Sequence, residues 1–90
     1  MVAITIESRR IRADGHAADE AGCAAVSAIL YALAGALENL SAPVRWRIES
    51  GCAEIPIPDS PEGRMLKLMA EVGLRQIADA RTDVCVRPAQ

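Results

Sequence analysis

Apolar and polar residues alternate along two short stretches at the start of the chain. In residues 2–6 every second side chain is apolar, and the alternation returns in residues 11–13. A period of two is typical of strands that bury one face. The polar pair Ser8-Arg9 predicts a turn between the two stretches, and Gly15 ends the second one. The pattern therefore predicts two consecutive strands.

The pattern changes to a helical period after Gly15. Residues 20–39 carry apolar side chains at steps of three and four positions, along two stripes. Asp19 precedes this stretch as a capping residue, and Glu20 places negative charge in the first turn. A helix that is apolar on more than one side is buried on more than one side. We expect it to pack on the sheet and against a second helix or another subunit.

Alternation resumes after the sequence S-A-P at residues 41–43, which breaks the helix. Apolar residues occupy alternate positions in residues 44–48 and 53–57, and a Ser-Gly turn signal separates the two runs. This arrangement predicts a β-hairpin. Pro56 and Pro58 have no N–H to donate to a neighbouring strand. We therefore expect the second strand of the hairpin to lie at a sheet edge or to end early.

The last third of the chain predicts one more helix and one more strand. Ser60 supplies a capping hydroxyl and Pro61 suits the first helical position, so the second helix begins there and ends near Ala80. Its predicted inner face consists of Met65, Leu68, Met69, Val72 and Ile77. Val84 and Val86 then predict a short final strand.

These elements follow one another in the order ββαββαβ. The sequence thus predicts a single α/β domain over residues 1–90, with two helices on a small mixed sheet. Apolar residues make up 51% of the chain, which argues against disorder, but there is no Phe, one Trp and one Tyr. A small core so poor in aromatic side chains gains stability from self-association, so we expect a homodimer.

Charge and cysteine content narrow the class of protein. The formal net charge is −2 and the arginines are scattered, so we expect no direct nucleic-acid binding. Residues 23–37 are too short and too Ala-rich to predict a membrane span, and the N-terminus does not resemble a signal peptide. The three cysteines lack C-x-x-C spacing, which predicts neither a disulfide framework nor a metal site. Free thiols suit a reducing cytoplasm.

The candidate chemistry lies between the second strand and the first helix. His16 is the only histidine, and Cys23 follows it by seven positions near the predicted helix start. The positive end of a helix dipole favours a thiolate, and a nearby imidazole completes the activation of such a thiol. The pair therefore fits a thiol hydrolase. The alternatives are a small buried cysteine and a histidine that faces solvent at a strand end.

Several neighbours are candidates for supporting roles at such a site. An acid can orient an imidazole, and the nearby acids are Asp14, Asp19 and Glu20, for each of which helix capping or solvation is the alternative. The backbone N–H groups of Cys23 and Ala24 are candidate oxyanion donors. Ser27 lies one turn beyond Cys23 on the same helix face and is a candidate hydrogen-bonding partner. This chemistry implies no metal and no cofactor.

Two short strings in this region resemble a known family. Gly15-His16-Ala17 is followed by C-A-A-V-S-A at residues 23–28, and this arrangement resembles the ribosomal-processing cysteine protease family, Prp. Ile29 stands where that family usually has Leu. A weaker likeness in element order and length extends over the hairpin, the S-P-E-G helix start and the final strand.

The resemblance implies a small α/β homodimer in the bacterial cytoplasm. It implies a cysteine peptidase, acting without a cofactor, that removes the N-terminal extension of a large-subunit ribosomal protein. His16 would be the base and Cys23 the nucleophile. The loop between them, residues 17–22, is shorter than in the family, and Glu20 stands where the family tends to have an aspartate.

The shortened loop motivates a second hypothesis, a non-catalytic ribosome-associated or peptide-binding module of the same fold. A third hypothesis is a thiol-dependent hydrolase that acts on another small acyl substrate. The reactivity of the Cys23 thiol separates the first two hypotheses, because a catalytic thiol must ionise more readily than free cysteine.

Overall fold

The computed structural model describes residues 1–88, which form five strands and two helices. Their order along the chain is ββαββαβ, as the sequence predicts. The elements are β1 (Val2–Ile6), β2 (Arg10–Gly15), α1 (Glu20–Leu40), β3 (Arg47–Glu49), β4 (Cys52–Pro56), α2 (Pro61–Ala80) and β5 (Val84–Pro88).

The five strands form one mixed sheet in the order β3-β4-β2-β1-β5. β1 pairs antiparallel with β2 and parallel with β5, and the remaining pairs are antiparallel. Buried residues of α1 and α2 join the inward residues of the strands in one cluster, so both helices cover the same face of the sheet. The predicted α/β class with a mixed sheet and two helices is confirmed.

The alternation in the sequence explains how each strand is oriented. β1 and β4 alternate between buried and half-buried residues, so one face lies under the helices and the other faces outward. The largest fully buried side chains come from both layers: Ile4, Ile11, Leu33, Leu37, Ile55 and Leu74. On the outward face Arg10 bridges Glu7 and Glu54 at 2.7 and 3.1 Å, which matches the polar half of the alternation.

α1 begins and packs as predicted. The Asp19 side chain accepts a hydrogen bond from the Gly22 N–H, and six residues of the helix are buried. By length and composition alone this helix is apolar enough to cross a membrane. A core helix meets the same criterion, and Leu30, Leu33 and Leu37 do lie in the core cluster. The buried helix predicted from the sequence is therefore what the structure contains.

α2 buries a different face from the one predicted. Met65, Leu68, Met69 and Val72 are exposed by 71, 61, 46 and 48%, and only Ile77 of the predicted face packs against the core. The fully buried residues are instead Gly63, Ala70 and Leu74. A Cβ on Gly73 would lie 2.9 Å from Cδ1 of Ile29, so small residues let the two helices approach closely. The prediction was wrong because it favoured large apolar side chains, whereas this contact requires small ones.

The hairpin is shorter than the alternation predicts. β3 contains only Arg47–Glu49, because the Trp46 N–H donates to the Val44 carbonyl at 3.1 Å in a tight turn. β4 lies between β3 and β2, so it is not at a sheet edge, but it does end at Pro56. Of the two outcomes expected from the prolines, the early end is confirmed.

Candidate active site

The end of β2 is held against the turn between β3 and β4. The Gly15 N–H donates to the Gly51 carbonyl at 2.9 Å. Gly15 has a φ of +99°, and a Cβ there would collide with the Met1 carbonyl. Only glycine suits this backbone conformation and this close approach. The strand therefore ends there and delivers the next residue, His16, just beyond the sheet.

The His16 imidazole lies against the hairpin turn and is exposed to solvent. A Cβ on Gly51 would be 2.8 Å from Nε2 of His16, and Gly51 has a φ of +79°. The absence of a side chain at Gly51 therefore makes room for the imidazole ring. Sequence analysis identified Gly51 as a turn residue and not as a neighbour of His16, because this contact joins distant parts of the chain.

Cys23 is the fourth residue of α1 and is half-buried. Its Sγ accepts a hydrogen bond from the Ala17 N–H at 3.3 Å. The short loop between β2 and α1 thus folds back so that its first peptide group points at the sulfur. A backbone donor directed at a sulfur favours the negatively charged thiolate over the thiol.

His16 and Cys23 line the same cavity, whose volume is about 330 Å³. The apolar part of the wall is formed by Val26, Leu30, Tyr31, Ile48 and Ala53, and the polar part by Ser27, Glu49 and Ser50. Within residues 1–88 no hydrogen bond joins the imidazole to the sulfur, whose partner is Ala17. Catalytic hydrogen bonds are often long without substrate and shorten in the complex.

The three candidate acids lie around the pair but make other contacts. The Asp14 carboxylate lies 3.7 Å from Arg12, and both residues occupy outward positions of β2. The strand ends before His16, so its alternation does not place His16 on the same face as Asp14. Asp19 caps α1, and Glu20 is exposed in the first turn. In the described part of the chain none of these acids hydrogen-bonds or ion-pairs with His16. The structure therefore places His16 and Cys23 in one cavity without an acid bound to the imidazole.

Comparison of the whole fold with solved structures identifies similar proteins. No family model and no curated protein matches the sequence. A ribosomal processing protease, Prp of Staphylococcus aureus, crystallised with a covalently linked product peptide, matches with a TM-score of 0.88 and 19% identity over 99% of this chain and 100% of that one. The chain has the Prp fold.

Two further structures agree with this result. Prp of Staphylococcus aureus in complex with a substrate peptide matches with a TM-score of 0.82 and 19% identity, over 99% of this chain and 98% of that one. A protein of Streptococcus mutans matches with a TM-score of 0.74 and 21% identity, over 97 and 92% of the two chains. The fold that the resemblance implied is thus confirmed over nearly the full length of each protein.

Of the two predicted supporting residues on α1, only Ser27 lines the cavity. Ser27 is half-buried and lines the cavity, whereas Ala24 is exposed. The Cys23 N–H already donates to the Asp19 carbonyl at 3.3 Å. Ala24 is one residue further into the helix, where N–H groups bond to the carbonyl four positions back. The Cys23 N–H is therefore already engaged within the first turn, and an oxyanion role for these two N–H groups stays a prediction.

Sequence analysis missed two residues that precede β5 in this Prp fold. The Asp83 carboxylate accepts hydrogen bonds from the Ala18 N–H at 2.6 Å and from Arg81 at 2.8 and 2.9 Å. These donors hold the pKa of the Asp83 carboxyl well below its usual range. Arg81 also donates to Asp19 at 2.8 Å. No local signal identifies the pair, because its contacts with Ala18 and Asp19 span more than sixty positions of sequence.

The two aromatic residues of the chain meet at the rim of the cavity. Tyr31 lines it, and the Trp46 ring stands edge-on to Tyr31 at a centroid distance of 6.0 Å and an interplanar angle of 82°. The Trp46 Nε1–H donates to Glu38 at 2.6 Å, which fixes the indole. Both rings are partly exposed, so they form a surface beside the cavity rather than part of the core.

The described residues contain no cluster of side chains typical of a metal site. Within residues 1–88 no group of three or more His, Cys, Asp or Glu side chains is gathered in one place. Cys23, Cys52 and Cys85 are free and half-buried.

Proposed function

We propose that this protein is a cysteine endopeptidase of the Prp family that removes the N-terminal extension of a large-subunit ribosomal protein. The observation that carries the proposal is the shared cavity of His16 and Cys23 in a chain with the Prp fold. In one structural neighbour that fold holds a covalently linked product peptide. A covalent bond between a protein and a product peptide is consistent with nucleophilic catalysis.

The proposed reaction begins with proton transfer from the Cys23 thiol to His16. The thiolate attacks the carbonyl carbon of the scissile peptide bond, and His16 returns the proton to the leaving amine. This step leaves a thioester on Cys23. Water, deprotonated by His16, then attacks the thioester, releases the carboxylic acid product and restores the thiol.

The shape of the cavity supports a peptide substrate. Its two walls are α1 on one side and the β3–β4 hairpin on the other, with Cys23 on the first and the His16–Gly51 contact at the second. A substrate carbonyl placed between these walls would meet the sulfur and the imidazole together. The apolar residues further along α1 offer contact to substrate side chains beside the scissile bond.

Cleavage of a peptide that spans the N-terminal processing site of the ribosomal protein tests the proposal. We expect Cys23→Ala to lower the cleavage rate by at least about 1,000-fold, since loss of a nucleophile removes the covalent pathway. Cys85→Ala is the matched control, because Cys85 lies on β5 and does not line the cavity. Undiminished turnover by Cys23→Ala, with the far-UV circular dichroism spectrum unchanged, would rule out the mechanism.

The missing hydrogen bond between His16 and Cys23 favours a second candidate function. A ribosome-associated or peptide-binding module of the same fold needs the cavity and not an activated thiol. In that case the wild-type protein would bind the peptide without cleaving it. Alkylation of Cys23 would then follow the pH profile of free cysteine, whose pKa is about 8.5.

The proposal includes a homodimer in the bacterial cytoplasm. Its support is the exposed apolar stripe on α2, formed by Met65, Leu68, Met69 and Val72, which a second copy would cover. Exposed apolar patches of this kind often mark interaction surfaces. Sedimentation equilibrium measures the assembly, and a monomer at micromolar concentration would contradict the dimer without affecting the peptidase proposal.

A further inference from the structure

We propose that Arg81 and Asp83 are positioning residues for the Cys23 thiolate, acting through the loop that joins β2 to α1. This inference rests on the proposed function, because it concerns the activation of the same thiol. It is carried by a chain of contacts, made of hydrogen bonds and the backbone of residues 17–18, that leads from Asp83, just before β5, to the sulfur. The chain passes through two adjacent peptide groups and through the capping residue of α1.

The first part of the chain is a pair of consecutive backbone donors. The Ala18 N–H donates to Asp83 at 2.6 Å, and the preceding N–H, that of Ala17, donates to the Cys23 sulfur at 3.3 Å. Adjacent peptide planes are separated only by the φ and ψ of the Cα they share, so anchoring one plane leaves two dihedrals to set the direction of the other. The bond to Asp83 therefore keeps the Ala17 N–H directed at the sulfur.

The second part joins the same carboxylate to the start of α1. Arg81 binds Asp83 through Nε and Nη2 at 2.8 and 2.9 Å, and its Nη2 also lies 2.8 Å from the Asp19 carboxylate. Asp19 in turn caps the helix at Gly22. A planar guanidinium with two donors on one carboxylate holds a defined orientation. Arg81 therefore ties the loop to the helix that carries Cys23.

Close packing makes this arrangement specific. A Cβ on Gly22 would lie 2.6 Å from Cβ of Ala17 and 2.8 Å from Cζ of Arg81. Loop, helix start and guanidinium therefore occupy neighbouring positions with no space for a further side chain. The side chains of Arg81 and Asp83 are only 26 and 16% exposed, so solvent screens their interaction less than that of a surface pair.

A hydrogen bond to the sheet fixes the backbone position of Asp83. The Val2 N–H at the start of β1 donates to the Asp83 carbonyl at 2.8 Å. The backbone of Asp83 is thus fixed at the point where β5 joins the sheet. A loop tied to this point has less freedom than one held by other loops, which suits the placement of a reacting atom.

Several acidic residues lie near the start of α1, and Arg81 pairs with two of them. Asp19 at the cap of α1, Glu20 in its first turn and Glu49 on the cavity wall all disfavour a thiolate. The other titratable side chains that line the cavity are His16, Tyr31 and Cys52. Asp83 adds a further negative charge, but Arg81 binds both Asp83 and Asp19. The guanidinium thereby neutralises the acids nearest the helix start. Besides the His16 imidazole on the cavity wall, the Ala17 N–H is the donor directed at the sulfur.

Two variants test this role. Asp83→Asn preserves the size of the side chain and an acceptor for the Ala18 N–H but removes the charge that holds Arg81. Arg81→Lys preserves the positive charge and removes the planar two-donor geometry. Asp59→Asn is the matched control, because it disrupts an exposed ion pair with Arg64 that has no contact with the cavity lining.

The readout is iodoacetamide alkylation of Cys23 as a function of pH, followed by mass spectrometry of the peptide that contains it. For both variants we expect a rate at pH 7 about 10-fold lower than in the wild type, since charge-assisted hydrogen bonds have that order of effect. We also expect kcat for peptide cleavage to fall about 10-fold with KM nearly unchanged. Asp59→Asn should match the wild type in both assays.

Superimposed alkylation profiles for the wild type, Asp83→Asn and Arg81→Lys would overturn the inference. Circular dichroism establishes that each variant is folded, and Arg81→Lys provides the decision if Asp83→Asn fails to fold. The alkylation assay does not depend on peptide cleavage. A wild-type protein that cleaves no peptide would therefore contradict the proposed function while the profiles still decide the role of Asp83.

Discussion

The two sides of the cavity are built in contrasting ways. On the sulfur side, Cys23 lies on a capped helix and accepts a backbone hydrogen bond, and the ion pair of Arg81 and Asp83 holds the loop and the cap beside it. On the imidazole side, His16 is exposed and its ring contacts the bare backbone of Gly51. Contacts from several elements thus fix Cys23, whereas His16 is placed mainly by the shape of one turn.

This difference suits a reaction in which the base must serve two partners. An imidazole that takes a proton from the thiol and gives it to the leaving amine has to approach both atoms in turn. A sulfur that attacks a carbonyl gains from being held in one position. The contrast therefore predicts that substitutions on the two sides affect different measured quantities.

Among substitutions that leave Cys23 in place, the largest effect is expected on the imidazole side. His16→Ala should lower kcat by about 100-fold to 10,000-fold, the usual contribution of a general acid–base group. KM for the peptide should change much less, because the apolar wall on α1 is intact. Steady-state kinetics measure both constants. A loss of kcat below about 5-fold would show that another group moves the proton.

A smaller effect is expected from filling the space beneath the imidazole. Gly51→Ala places a Cβ 2.8 Å from Nε2 of His16 and strains a residue with a φ of +79°. We expect kcat to fall about 10-fold as the ring is displaced, and the free energy of unfolding to fall by about 1–2 kcal/mol. Urea denaturation measures the second quantity.

Gly35→Ala is the control for that substitution. Gly35 lies inside α1 and a Cβ there would have nothing within 4 Å. Alanine in a helix interior is more favourable than glycine by up to about 1 kcal/mol, so this variant should be slightly more stable and equally active. Equal kcat for Gly51→Ala and the wild type would contradict the role assigned to the turn.

The smallest effect concerns the sulfur side and is a difference in the free energy of unfolding that disappears in acid. Arg81 and the Ala18 N–H lower the pKa of Asp83 in the folded protein. A lowered pKa stabilises the fold above the unfolded-state pKa, about 3.9 for Asp, and this stabilisation is lost as pH falls towards the folded-state pKa. The stability difference between wild type and Asp83→Asn should therefore be constant above about pH 5 and shrink below pH 4.

Urea unfolding at several pH values measures this difference, with Asp59→Asn as the comparison. Asp59 pairs with Arg64 across a gap of 3.0 Å, but both side chains are more than 60% exposed. Exposed pairs contribute little to stability. A pH-independent difference for Asp83→Asn would mean that its ion pair is not what stabilises this corner of the fold.

The order of elements was predictable because its signals are local. Alternation marks β1 and β2, and the capping residues Asp19 and Ser60 mark the helix starts within a few positions. The buried face of α2 was not predictable in the same way. Which stripe of a helix is buried depends on the shape of its partner, and here the contact with Ile29 selects small residues.

In the candidate site, too, the features with a local sequence signal were predictable and the contacts between distant segments were not. His16 and Cys23 were identified from their proximity in sequence and from the resemblance to a known family, and they do share one cavity. The contacts that hold them come from Gly51 on one side and Asp83 on the other. Both contacts depend on strand pairing between distant segments, which no local pattern specifies.

The meeting of Tyr31 and Trp46 gives the protein an optical probe of its own. Trp46 is the only tryptophan of the chain, so all indole fluorescence originates at the rim of the cavity. Its emission depends on solvent contact and on the nearby Glu38 carboxylate. A molecule that settles over the rim should therefore change the colour and intensity of the emitted light, so occupancy can be followed in real time without a label.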